Sequence, residues 1–461
     1  MEATTITKAP LRFLMVVLMV GLALPLQAAA VSGLRCEGSP RPLGLDIVRP
    51  RLSWRMEDNL ADGTPVREQR QTAYRVLVSS TKEKLAAEEG DLWDSGKVDS
   101  AQSLHVAYSG QTLTSGTGCF WKIRLWDKDG QPTDWSQSAF WKMGLLKPED
   151  WQAQWIGVAA EPAPVPPDVT VTKATYRTLD GEVAVDVTPI MKRVVEERRL
   201  PFKVDFNQLG GDPAPNIVKE LELEYTLAGR VGVSRARDFE MLGIPQAMPG
   251  VPALWFRGEF DLTSAPESAY VTVHSPAYFE LHVNGEKIGD DVLMPAVSDT
   301  HDRTFVVTYE VTRHLKPGKN CLGIWAAKGW ADHLVLRAQL EAVVQGRAFI
   351  FGTGPSWKSR PSNLSHIGGW NWHNFGGEHL EAGRQLPDWA KAGADPAGWR
   401  PVAEAAAPSG KGEWQAAPAN RIGERITPVS ITPLAEGRYE IDFGRIRFLE
   451  LADAAADDKK G

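Results

Sequence analysis

The feature that most narrows the folds open to this 461-residue chain is strict two-residue alternation, repeated in short runs that end on turn signals. Residues 120–126 read Phe-Trp-Lys-Ile-Arg-Leu-Trp and run into Asp127-Lys128-Asp129-Gly130, whose Asp-Gly pair is a strong hairpin signal. Trp135-Ser136 then opens a return strand through Phe140 and Met143. Upstream, Tyr74, Val76 and Val78 alternate with Arg75 and Leu77, which predicts a half-buried strand, and residues 82–89 predict a short helix. Gly (42) and Pro (32) together exceed the usual share of about 12%, as expected where tight turns join short strands.

Residues 31–145 therefore predict a two-sheet sandwich of the fibronectin type III kind. The Pro-rich residues 161–168 read as a linker. Beyond it, Thr188 is placed as the N-cap of a helix, with Pro189 at its first position and Ile190, Met191, Val194 and Val195 on its apolar face. Strands at 219–225 and 227–233 and a turn at 210–213 complete a small α+β insertion spanning 169–250. A second sandwich, residues 146–168 and 251–420, resumes with strands at 256–262, 269–274, 278–283, 304–309 and 321–326, and Asn284-Gly285 marks a hairpin. Residues 351–399 read as loop, rich in Trp, Gly, His and Asn, and residues 421–461 read as the truncated start of a further β-domain. The predicted class is all-β, with tandem β-sandwich domains, fibronectin type III-like and then jelly-roll or galactose-binding-like, and the α+β insertion between them.

Lys8 and Arg12 precede an apolar run over 13–26 and then Gln27-Ala28-Ala29-Ala30, the order of a secretory signal peptide. Residues 1–30 are assigned to it, which predicts a secreted or periplasmic protein with no membrane association after cleavage. Lys plus Arg (51) against Asp plus Glu (58) gives 51 − 58 = −7, and no basic stretch suits a phosphate backbone, so nucleic acid is excluded as a partner. The three cysteines, Cys36, Cys119 and Cys321, permit one disulfide at most or serve as buried thiols. Phosphate-binding glycine loops, Cys-x-x-Cys and His-Glu-x-x-His are all absent.

Several blocks resemble bacterial α-L-rhamnosidases of glycoside hydrolase family 78. They include Pro42-Leu43-Gly44, Pro50-Arg51-Leu52-Ser53-Trp54, Gln71-Thr72-Ala73-Tyr74-Arg75-Val76, Leu92-Trp93-Asp94-Ser95-Gly96-Lys97-Val98 and the run from Trp121 to Gly130. Further blocks are Tyr278 to Gly289, Tyr309-Glu310-Val311-Thr312, Leu315 to Asn320, Phe375-Gly376-Gly377-Glu378 and Ile441-Asp442-Phe443-Gly444. The resemblance implies the non-catalytic N-terminal region of such an enzyme, because the family's catalytic (α/α)6 barrel begins beyond the landmark at Ile441-Asp442-Phe443-Gly444. Arg445-Ile446-Arg447 also stands where the family has a polar Gln-Asn pair. No catalytic residue is assigned, and the chain is expected to be inactive alone. The resemblance implies contact with rhamnose-containing plant glycans or glycosides. Two alternatives stand beside it: a stand-alone carbohydrate-binding module, and a structural partner of a separately encoded catalytic domain.

The 17 tryptophans have two uses, as sandwich core or as platforms for the C–H faces of sugar rings. The sugar-contact candidates are Trp370, Trp372 and His373, because indoles two residues apart in an extended segment point the same way and the imidazole can bond hydroxyls. Packing between domains and ordinary core are the competing readings. Trp330 is a further candidate, set against burial at the end of a strand. No cofactor is implied. Asp299 and Asp302, with Asp290-Asp291, lie on loops where oxygen ligands can hold a structural Ca²⁺; the competing reading is turn chemistry.

Overall fold

The computed structural model describes residues 29–57, 68–158, 169–227, 229–244, 251–331, 333–367, 377–435 and 438–444, and strand and helix counts are those of the described residues. Residues 1–28 of the signal-peptide segment, the linker at 161–168, Trp370, Trp372 and His373 lie outside them. The chain divides into two compact units, Met1–Met143 and Gly144–Gly461.

In the first unit, β1 (Ala30–Cys36) pairs with β3 (Arg51–Glu57) in a three-stranded sheet completed by Val106–Ala107. The second sheet runs β2 (Leu43–Leu45), β6 (Ala139–Met143), β5 (Gly118–Trp126), β4 (Ala73–Ser79), with the short strands Trp93–Asp94 and Val98–Asp99 both pairing with β4. Alternation in β5 buries Cys119, Trp121, Ile123 and Leu125, which with Trp54 of β3 and Trp141 of β6 form the core. Asp127 accepts the N–H groups of Asp129 (2.9 Å) and Gln131 (2.7 Å), and Gly130 takes φ 74°, so the Asp-Gly turn forms as expected. One reading of the pattern fails in β4, whose Leu77 is as buried as Val76 and Val78. The helix α1 (Lys82–Ala86), capped by Thr81, lies beside this strand and helps close the face that alternation alone leaves to solvent.

In the second unit, β7 (Val169–Thr178), β8 (Ala184–Asp186), β9 (Lys219–Leu227) and β10 (Arg230–Arg237) make a four-stranded antiparallel sheet in the order β8-β7-β9-β10. The helix α2 (Thr188–Glu196) packs on it through Met191, Val194 and Val195. Its N-cap is Val187 rather than Thr188: the Thr188 hydroxyl accepts the Ala174 N–H of β7 (2.8 Å), and Asp186 takes the Thr188 N–H (2.9 Å). Lys219, almost wholly buried, is held by Asp212 (2.7 Å) and the carbonyls of Ala214 (3.2 Å) and Ile217 (2.8 Å), which fastens the 210–217 turns to the sheet.

A sandwich of two larger sheets supplies the main core. The strands are β11 (Val251–Leu262), β12 (Ser268–His274), β13 (Tyr278–Val283), β14 (Arg303–Glu310), β15 (Gly318–Ala327), β16 (Arg337–Val344), β17 (Arg347–Gly352), β18 (Lys358–Ile367), β19 (Gly377–Leu380) and β20 (Lys411–Trp414). One sheet runs Glu286–Lys287, β13, β15, β11, β18, β19, with Arg400–Pro401 on β18; the other runs β17-β16-β12-β14-β20. Phe256, Leu281, Leu322 and Ile324 of the first meet Val271, Val273, Ala338 and Leu340 of the second, with Trp357 among them. Asn284 (φ 52°) and Gly285 (φ 92°) form the two-residue hairpin that the sequence marks. Strands β16, β17 and β18 lie where the sequence reading has none or has loop; Gly352 and Pro361 break the expected pattern, yet β18 is paired on both sides. Beyond the sandwich, β21 (Ser430–Ala435) and β22 (Arg438–Asp442) form a two-stranded hairpin. Among the described residues no helix is long and apolar enough to cross a membrane.

Candidate functional site

Because successive residues on a strand point to opposite faces, burying Phe256 and Phe260 of β11 forces Trp255, Arg257 and Glu259 onto the outer face. Register then lines these up with their neighbours. One cross-strand row reads Lys358, Arg257, Gly323, His282 across β18, β11, β15 and β13, and the next reads Arg360, Trp255, Trp325, Glu280.

Gly323 is the gap in this face. A Cβ there would stand 2.7 Å from Ala390 and 2.8 Å from the Trp389 ring, so the missing side chain lets the segment Leu386 to Trp399 settle onto the sheet. Trp389 stacks on Trp255 (centroids 5.6 Å apart, planes 16°) and meets the His282 ring edge-on at 5.0 Å. Arg257 stitches the segment down: its Nη2 donates to the Lys391 carbonyl (2.7 Å) and to Glu259, and its guanidinium lies 5.3 Å from the Trp399 ring. Glu259 also accepts the Gly393 N–H (2.9 Å), and Arg360 donates to the Ala397 carbonyl (2.7 Å).

Between this segment and the sheet lies a cleft of about 340 Å³, lined by Arg257, Glu259, Ser356, Lys358, Gly393, Ala394, Pro396 and Trp399. That is within the roughly 300–1,000 Å³ of small-ligand sites, and indole, hydroxyl, cation and carboxylate converge in it. Arg257 is only 6% exposed and its Nε–H has no acceptor among the described residues. Lys358, exposed, has no ion-pair partner among them.

Of the residues singled out from sequence, Trp370, Trp372 and His373 belong to the connection joining β18 to β19, outside the described residues. Trp330 follows β15 and is 60% exposed, not buried by the strand's inner face, because β15 ends at Ala327 and the turn at Gly329 carries the chain outward beside Tyr278. It does not line the cleft. Asp299 accepts the His301 N–H (3.0 Å), and the Asp299 carbonyl takes the N–H groups of Asp302 (3.2 Å) and Arg303 (2.8 Å), a turn built from its own residues. Asp290 pairs with Arg421 (3.2 Å) and Asp291 accepts the Tyr309 hydroxyl (2.6 Å). Among the described residues no group of three His, Cys, Asp or Glu side chains is placed to hold a metal.

Arg257, Glu259, Lys358 and Trp399 were missed in the sequence. The alternation of Trp255, Arg257 and Glu259 with apolar residues was a legible sign of an outer face, but only register brings Lys358 and Trp399 to it.

Two family descriptions match this chain: the Rha78A-like N-terminal immunoglobulin domain over residues 31–147, and the alpha-L-rhamnosidase N-terminal domain over residues 264–424. An alpha-L-rhamnosidase of Formosa agariphila is 26% identical, covering 88% of this chain and 37% of its own length. One of Streptomyces avermitilis is 26% identical, covering 82% and 45%. The chain thus spans less than half the length of these curated relatives. Among solved structures, the Streptomyces avermitilis alpha-L-rhamnosidase complexed with L-rhamnose aligns with a TM-score of 0.66 at 23% identity, over 90% of this chain and 49% of that one. The alpha-L-rhamnosidase from Dictyoglumus thermophilum gives 0.63 at 24% identity, over 90% and 38%. These two structures share the fold.

Proposed function

From its homology to the N-terminal, non-catalytic region of alpha-L-rhamnosidases, we propose that this chain is the carbohydrate-contacting accessory region of a secreted or periplasmic rhamnosidase-like glycoside hydrolase. Its targets are rhamnose-containing plant glycans or glycosides. In finer terms, residues 31–145 act as a fibronectin type III-like sandwich, and residues 146–168 with 251–420 as a jelly-roll-like one carrying the contact surface.

The observation that carries this reading is the cleft on the outer sheet face. It has the mixture of indole, hydroxyl and charge that suits a polar ring with one apolar side. It lacks the means to cleave one. Inverting hydrolysis needs two carboxyl groups about 6.5–9.5 Å apart. Glu259 is the sole carboxylate among the lining residues, and it is engaged by Arg257 and the Gly393 N–H. Among the described residues the α-helices are α1 and α2, and no (α/α)6 barrel is present.

Titration with rhamnose-bearing oligosaccharides tests the reading. Saturable binding is expected, and weaker binding by the Trp370→Ala, Trp372→Ala double variant would assign part of it to the β18–β19 connection. Absence of binding removes the carbohydrate-contact role. Rhamnoside hydrolysis that scales with the concentration of purified chain removes the non-catalytic one.

A second reading, a structural partner of a separately encoded catalytic domain, is favoured by the terminal hairpin. Ile431 opposite Ile441 and Pro433 opposite Tyr439 put one apolar face on β21–β22, continued by Val429 and Phe443. Ile431 and Ile441 are 59% and 51% exposed, whereas a two-stranded ribbon is stable in water only when such a face is covered. Sedimentation of the isolated chain is expected to show self-association that Ile441→Lys reduces; a monomer unaffected by the change removes this reading.

A further inference from the structure

We propose that the cleft beside Arg257 is a subsite for a carboxylated sugar, a uronate, rather than for a neutral ring. This rests on the carbohydrate-contact reading and narrows its ligand class.

The charge count at the cleft points there. Arg257 and Lys358 are cross-strand neighbours on β11 and β18, and both line the cleft with one carboxylate, Glu259. Glu259 is engaged through one oxygen, Oε1, which accepts from Arg257 and from the Gly393 N–H (2.9 Å), and among the described residues no ion pair joins it to Lys358. The ammonium of Lys358 is thus left without a counter-charge among the described residues. Asp395, in the same segment, is exposed and turned to its own loop, where it accepts the Ala397 N–H at 2.9 Å.

The two cations play different parts. Arg257 is a wall of the cleft, fixed by the carbonyl of Lys391 (2.7 Å) and by the Trp399 ring, so its charge costs no reordering when a ligand arrives. Its charge is countered by Glu259, so the charge open to an incoming anion is that of Lys358. Lys358 is exposed at the rim and free to turn its ammonium onto a carboxylate. Ser356 offers a hydroxyl for ring oxygens, and the partly exposed Trp399 indole supplies the apolar wall. A neutral sugar uses the indole and the hydroxyl and leaves the lysine unanswered.

The test is a calorimetric or NMR titration of the full chain with D-galacturonate and D-galactose, which share a pyranose ring and differ in the carboxylate at C6. Galacturonate is expected to bind the wild type more tightly than galactose, and added salt to weaken that preference. Lys358→Gln is expected to lower galacturonate affinity about tenfold with galactose unchanged. Glu259→Gln, which keeps an acceptor for Arg257 and removes the negative charge, is expected to raise it. Equal affinity for the two sugars, or a galacturonate preference that neither substitution moves, overturns the proposal. If rhamnose-bearing oligosaccharides still bind while galacturonate does not, this inference fails and the carbohydrate-contact role stands; if none of these sugars binds, both fail.

Discussion

Arg337 donates to Nδ1 of His274 at 3.2 Å, and this one contact fixes the imidazole as a neutral ring. A guanidinium has only donors, so Nδ1 must accept, and the ring proton sits on Nε2, facing the Thr304 hydroxyl at 2.7 Å. The Thr304 hydroxyl in turn donates a hydrogen bond to the Gly410 carbonyl (3.3 Å). The guanidinium is in turn held 3.9 Å from the Trp151 ring and 4.9 Å from that of Trp155.

A pH dependence follows. Burial, and then the Arg337 charge, push the His274 pKa from 6.5 down to about 3. The unfolded chain takes up a proton below about pH 6.5 that the native ring refuses, so stability is full above that pH and falls progressively as pH drops toward 3. Urea midpoints of the wild type and His274→Gln are expected to diverge over this window, with the variant less pH-dependent. Parallel curves would show that the imidazole does not govern this range.

Filling the gap at Gly323 is expected to lift the tryptophan segment. Gly323→Ala brings a methyl group to within 2.7 Å of Ala390, so Trp389 loses its place on Trp255. Protease cleavage within residues 386–399 should rise, at a stability cost of about 1–3 kcal/mol. Unchanged cleavage would mean that the segment accommodates a larger floor.

Two buried tryptophans of the first unit should respond differently to the same truncation. The Trp54 indole N–H donates to Gln71 (2.8 Å), whereas that of Trp121 has no partner among the described residues. Both side chains are essentially buried, so replacement by Phe removes similar apolar contact from each. Trp54→Phe also strands a buried amide oxygen, and is expected to cost about 1–3 kcal/mol more than Trp121→Phe in chemical denaturation.

All three thiols are free and buried. Burial pushes Cys119 up to about 12 and Cys321 up to about 11, and Cys36, beside Glu37, moves in the same direction. Since the thiolate is the reactive form, a disulfide-exchange reagent is expected to find no reactive thiol in the native protein and three after denaturation. Rapid labelling of native protein would indicate opening of a core strand.

Where local rules act alone, the sequence was readable. The Asn284-Gly285 hairpin, strand Tyr278–Val283 and the apolar face of α2 depend on neighbours in the chain. Leu77 was misjudged because its second face is covered by a helix formed three residues beyond the end of its strand. Strand β18 was missed because Pro361 and a polar run hide it; two flanking strands supply the hydrogen bonds that its composition does not advertise. The competing reading of Trp330 as buried at a strand end fails because β15 stops at Ala327 and Trp330, three residues on, is 60% exposed.

The sequence by itself determined that the chain makes antiparallel sheets from short alternating strands, and its motifs pointed to the N-terminal region of alpha-L-rhamnosidases. Only the tertiary structure decided which tryptophans are core and which make a surface. Trp54, Trp121, Trp141 and Trp357 are fully buried, Trp255 and Trp389 are buried in a second cluster beneath the segment on the outer sheet face, and the partly exposed Trp399 borders a cleft. The reason is that side-chain direction is set by local alternation, whereas what a side chain meets is set by register: Arg257 finds Lys358 across a strand pair and Trp399 from a segment more than a hundred residues away.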